Sequence, residues 1–193
     1  TKQWLTLFIT LVIFILTFLP ALIKKNYKVN LPIEIEIFII AFIYASLYLG
    51  EIHAHYTKFW WWDLVLHGSS AILFGFIGFL IVYIMDHEER IKLKMSPKFV
   101  AIFSFVFSVA IGSIWEIVEF GMDNILGYAM QKSGLIDTMW DMIVNAAGAL
   151  IVSISGYFYI KKERMFLFSR VINKFVEKNP KIFRRNIKLI KIK

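Results

Sequence analysis

The stretch F-V-A-I-F-S-F-V-F-S-V-A-I-G-S-I-W-E-I-V-E-F, residues 99–120, decides the fold. Crossing the hydrocarbon of a bilayer takes roughly 20 mainly apolar residues in a helix, and this run supplies them directly after Ser96 and Pro97. Serine caps free backbone N–H groups and proline at the first helical position lacks one, so the pair predicts a span over residues 98–120. Residues 4–23, 31–50, 63–85 and 137–160 have the same character. The first of these is too long an apolar run for a signal sequence, and Lys24 and Lys25 follow it rather than precede it, so it is predicted to stay as an anchor. The fold class expected is all-α: a polytopic membrane bundle of about five transmembrane helices.

Composition agrees, because 59% of the 193 residues are apolar and only 19% charged. Lys and Arg number 22 against 14 Asp and Glu, and residues 163–193 hold 10 of the bases with 2 acids, so the other residues balance at 12 against 12. A neutral body with one basic end argues for the lipid bilayer as partner and against nucleic acid. With no cysteine there is no disulfide, no thiolate metal site and no thiol nucleophile. Chemistry must come from histidine, carboxylates or hydroxyls.

Sorting the loops by charge places 19 of the basic residues on one side and only Lys2, Lys58 and Lys132 on the other. The positive-inside rule then predicts an inner or plasma membrane protein with its N-terminus outside and its C-terminus cytoplasmic. Trp60, Trp61, Trp62, Trp115 and Trp140 fall near the outer span ends, where indoles favour the interface. Beyond a bundle of residues 1–162, residues 163–193 read as a basic cytoplasmic tail. Its Met165, Phe168, Val171, Ile172, Phe175 and Val176 recur at helical spacing, with Arg164, Arg170, Lys174 and Lys178 on other faces. That is the pattern of an amphipathic helix on anionic lipid, the competing reading being a solvated cytoplasmic helix.

Ionisable residues cost about 2.5 to 3.5 kcal/mol at the centre of a membrane helix by insertion scales, so their placement is informative. Span 2 ends in E-I-H-A-H-Y, with Glu51, His53 and His55. Span 3 opens with Asp63 and His67, four apart and so on one face. Span 4 carries Glu116, Glu119 and Asp123, and span 5 carries Asp137, Asp141 and Asn145, each set at the spacing of one helical stripe. At 1.5 Å per residue, Glu116 lies about 10 Å deeper than Asp123. Carboxylates at that depth must turn inward, which predicts a polar funnel opening outward. Toward the cytoplasm, spans 3 to 5 offer only hydroxyls such as Ser104, Ser153 and Tyr157, with small packing residues.

Converging carboxylates repel one another unless a cation or shared protons intervene. Three readings follow: a metal site, a proton-sharing or transport site, and a structural cluster. In the first, Glu116, Glu119, Asp123, Asp137, Asp141 and His67 are the ligands, with His53, His55 and Asn145 as additional candidates. His67, Asp63 and Glu51 are the candidates for moving protons. Imidazole with carboxylate suits Zn, Mn or Fe, while carboxylates alone favour Mg or Ca. His53 and His55 point to different sides and reach one ion only if the loop bends, and Asp137 has the competing reading of a helix N-cap, a role that still allows it to be a ligand. The leading expectation is a divalent-metal-dependent hydrolase or transferase at the outer leaflet. A transporter is the second expectation and a structural subunit the third; homo-oligomerisation is compatible with all of them, and the substrate is unspecified.

Taken together, E-x-H-x-H-Y at 51–56, D-x3-H at 63–67, W-E-x2-E-x3-D at 115–123 and D-T-M-W-D at 137–141 resemble the YjdF-like bacterial and archaeal predicted inner-membrane proteins, a family of unknown function. The likeness covers roughly residues 30–160, leaving the first span and the tail outside. It implies a small multi-span membrane protein with these polar positions in common, and no activity.

Overall fold

The computed structural model describes residues 2–87, 94–127, 129–161 and 169–183, and every element among them is helical. In chain order these are α1 (Lys2–Leu16), α2 (Leu19–Tyr27), α3 (Ile33–Ile43) continuing as a π-helical segment (Tyr44–Ile52), α4 (His55–Lys58), α5 (Trp62–His87), α6 (Pro97–Leu126), α7 (Leu135–Lys161) and α8 (Ser169–Lys178). Among the described residues, five stretches are long and apolar enough to cross a membrane: Thr10–Tyr27, Ile33–Ile52, Trp62–Asp86, Pro97–Ile125 and Leu135–Lys161. The all-α chain with five stretches able to span a membrane, expected from the sequence, is thus what is found. One difference is a break at Thr17 and Phe18 inside the first predicted span. Pro20 causes it: its ring conflicts with the carbonyl four residues back, whereas in the first turn of α2 its missing N–H costs nothing.

The chain forms two compact units, one of residues 63–167 and one of residues 1–62 with 168–193. Helix α8 therefore groups with the N-terminal residues.

The first of these units is built on α5, α6 and α7. One stripe of α6 is buried: Val100, Ser104, Ser108, Gly112, Glu116 and Glu119, at intervals of four and three that keep to a single helix face. Ile102, Val106, Ile114, Ile117 and Phe120 are exposed, the apolar surface a helix presents to lipid. Small residues bring the helices together. A Cβ at Gly148 of α7 would lie 2.7 Å from the carbonyl oxygen of Gly68 on α5, so the two backbones nearly touch. Ser104 and Ser108 donate their hydroxyls to the carbonyls of Gly75 and Ala71 at 2.7 and 2.8 Å, joining α6 to α5. Ser96 caps α6 as the sequence predicts, accepting from the Phe99 N–H at 3.2 Å. Gly127 closes the helix in the left-handed region at φ 71°, its N–H donating to the Asp123 carbonyl.

In the other unit, α8 is amphipathic as predicted, but its apolar face is packed against protein. Ile172, Phe175, Val176 and the following Phe183 are at most 2% exposed. Met165, Phe168 and Arg164 of the predicted stripe lie outside the described residues, as do Arg90 and Lys92. Polar contacts hold α8 to the start of α3. Asn179 donates to the Asn30 carbonyl and accepts from the Asn30 N–H, both at 2.8 Å, and Lys174 pairs with Glu34.

Candidate functional site

Three helix segments build the site, all in the α5–α7 unit. The first turns of α5 supply Asp63 and His67, the last third of α6 supplies Glu116 and Glu119, and the first turns of α7 supply Asp137, Asp141 and Asn145. The short loop from α6 to α7 makes both acidic stripes meet at one end of the unit. His67 is central: Nδ1 lies 3.7 Å from Glu116 Oε1, and Nε2 lies 3.7 Å from Asp63 Oδ1 and 4.0 Å from Asp141 Oδ2. His67, Glu116, Asp141 and Asn145 are all buried and line one small cavity with Gly112 and Ser113.

Among the described residues two carboxylate-rich groups result, His67/Glu116/Asp141 and Asp63/Asp137/Asp141, each with one donor atom per residue within 4.8 Å of the others. Ligands about 2.1 Å from a common ion stand up to about 4.2 Å apart, so both groups are near ligating geometry. Their satisfaction differs. Neither carboxylate oxygen of Glu116 meets a donor in hydrogen-bond geometry, nor does Oδ1 of Asn145, although the Thr138 and Gln131 side chains stand near Glu116. Leaving a buried polar group unsatisfied costs about 1–3 kcal/mol, and more for a charge. In the other group, Lys132 of the α6–α7 loop donates its ammonium to Asp63 Oδ2 at 3.0 Å and its backbone N–H to Asp137 Oδ2 at 3.1 Å.

The structure does not gather all the residues named from the sequence. Asp123 stands in neither group; its two oxygens accept the backbone N–H groups of Met130 and Gln131 at 2.7 and 2.9 Å, stapling the loop to α6. Glu119 is buried one turn from Glu116 but also stands outside both groups, with Oε1 accepting from Trp115 Nε1 at 2.8 Å. Asp137 lies inside the first turn of α7, which begins at Leu135, so it is not the helix N-cap; its Oδ2 accepts the N–H of Lys132 in the preceding loop at 3.1 Å while it stands in a donor group. Glu51, His53 and His55 belong to the other unit and to neither group. There the chain bends at Ala54, which has φ 57°; the His53 ring lies 4.7 Å from Tyr48, and the His55 ring 5.1 and 4.8 Å from Phe59 and Trp62. Sequence reasoning missed Lys132 as a member of the site. The signal was its place as the lone base between spans 4 and 5, five residues before Asp137.

Five stretches long and apolar enough to cross a membrane, together with a buried carboxylate and imidazole cluster in the α5–α7 unit, define a polytopic membrane protein. The chain belongs to the family described as predicted membrane protein (DUF2238), matched over residues 1–162. The family therefore includes the first span, which the motifs alone leave outside, while the tail stays beyond the match. An uncharacterized protein of Thermotoga maritima is 28% identical over 120 residues, covering 62% of this chain and 59% of that protein. The match thus spans less than two thirds of the relative's length. No solved structure matches the chain.

Proposed function

We propose that this protein is a divalent-metal-dependent membrane hydrolase or transferase, with its ion held by His67, Glu116 and Asp141. The observation that carries the reading is Glu116, 5% exposed, with both oxygens unpartnered, in the cavity that His67 and Asp141 also line. A buried carboxylate without a counter-charge is strongly unfavourable. A proton would remove the charge but add an O–H that itself needs an acceptor, whereas a cation satisfies the oxygens and engages His67 and Asp141 as well. One imidazole and two carboxylates suit Zn, Mn or Fe, and three protein ligands leave a coordination position open for water or substrate.

Such an ion would supply a Lewis acid and would acidify a bound water strongly, toward a pKa of about 7. The chain's own residues do the rest. With one nitrogen of His67 ligating, the other faces a carboxylate, Asp63 or Glu116, which fixes ring orientation. Asp63, at the exposed end of the cluster, is the group to accept a proton. The distribution of basic residues favours an outward-facing orientation for this end of the unit, and with it a substrate reached from the outer leaflet. A transporter would need a polar path through the opposite half of the unit, where Ser104 and Ser108 are already committed to helix carbonyls.

Elemental analysis of the detergent-purified protein tests the reading. A stoichiometric divalent metal is expected in the wild type and its loss in Glu116→Gln. Absence of metal, with a melting temperature indifferent to chelator and to added Zn or Mn, would overturn it.

A further inference from the structure

Two ligand groups that share Asp141 have the layout of a carboxylate-bridged pair of ions, which stand about 3.5–4 Å apart in two-metal sites. Only one group is open. Glu116 is buried and unpartnered on one side of Asp141, whereas on the other side Lys132 touches both remaining carboxylates, through its ammonium at Asp63 and its amide at Asp137. We infer that Lys132 is the resident counter-cation of the Asp63/Asp137/Asp141 group and restricts the cavity to a single divalent ion on His67, Glu116 and Asp141. This rests on the metal reading above.

Charge supports the restriction. The two groups together hold four carboxylates, Asp63, Glu116, Asp137 and Asp141. One divalent ion with the Lys132 ammonium leaves a single negative charge beside a neutral His67; two ions with the same ammonium would leave a positive excess in a place with little water to screen it. Lysine suits the role because its ammonium is a compact point charge on a flexible stem. Its side chain is 34% exposed, so the ammonium holds Asp63 from the solvent-facing side of the group. Lys132 is therefore a specificity-determining residue, setting how many ions the site takes.

The test is a Mn2+ titration of the full-length detergent-purified protein, with bound ions counted by electron paramagnetic resonance. The wild type and Lys132→Arg are expected to bind one ion, and Lys132→Cys two, with the spectrum of a coupled pair. The chain has no other cysteine, so 2-aminoethyl methanethiosulfonate should restore an ammonium at that position alone and return the count to one. Lys132→Gln, expected to bind two, serves if the cysteine variant fails to fold. Two ions in the wild type, or one in folded Lys132→Cys and Lys132→Gln, would overturn the inference while leaving the metal reading standing. No ion in the wild type would remove both.

Discussion

The side-chain amide of Asn145 on α7 fills the space that a side chain at Gly112 on α6 would need. The glycine thus lets Asn145 reach the cavity, where its Oδ1 is buried beside Glu116 and His67. Gly112→Ala should drive the two helices apart or turn the amide away. Overpacking of this kind costs about 1–3 kcal/mol, and disturbing a group that supports metal ligands weakens affinity about 10- to 100-fold. Thermal unfolding with and without Mn2+ measures both effects, and an unchanged variant would show that Asn145 has no such part.

Glu116 and Glu119 are one turn apart and both buried, yet they should respond differently to amidation. Metal that binds the folded state alone stabilises it by about 2.7 kcal/mol at a hundred times its dissociation constant. Glu116→Gln should abolish that gain, because it removes a ligand charge. Glu119→Gln should retain most of it, because Oε1 of Glu119 is already occupied by the Trp115 indole. Equal loss in the two variants would place Glu119 among the ligands.

The positions of these two groups were unequally legible in the sequence. Helical period alone put Asp63 with His67, Glu116 with Glu119, and Asp141 with Asn145, because residues three and four apart share a face whatever the tertiary packing. Period also placed Asp123 on the Glu116 stripe, and there it misled. Asp123 lies in the last turn of α6, where the chain is about to reverse, and unpaired loop N–H groups take its oxygens. Contacts between segments distant in sequence, such as Lys132 with Asp63, leave no periodic trace. The same holds for α8. Its amphipathic pattern predicts that one face will be covered but is silent on whether lipid or protein covers it.

Protein covers it in the structure, and a substitution measures how much depends on that. Phe175 is fully buried, so Phe175→Ala should cost about 3–5 kcal/mol, the usual range for a core phenylalanine. If α8 instead lay on the membrane, the loss would be small and would depend on the anionic lipid content of the vesicles. Reconstitution into neutral and anionic bilayers, followed by unfolding, distinguishes the two.

Orientation has its own measurement. In the otherwise cysteine-free chain, a cysteine at Lys132 should react with an impermeant reagent in intact cells, while one at Lys94 should react only after lysis. The opposite result would put the cluster on the cytoplasmic side and exclude a substrate from the outer leaflet.

The pairing of Asn30 with Asn179 spans 149 positions of the chain. A ribosome making this protein therefore releases all of α5, α6 and α7 before the residues that complete the unit containing α1, α2 and α3 exist. The carboxylate cluster can assemble during synthesis, while Asn30 and Glu34 wait for α8. Truncation just before Ser169 should accordingly yield a chain whose late-made helices are in order and whose early ones are not, the reverse of the usual N-to-C sequence of domain completion.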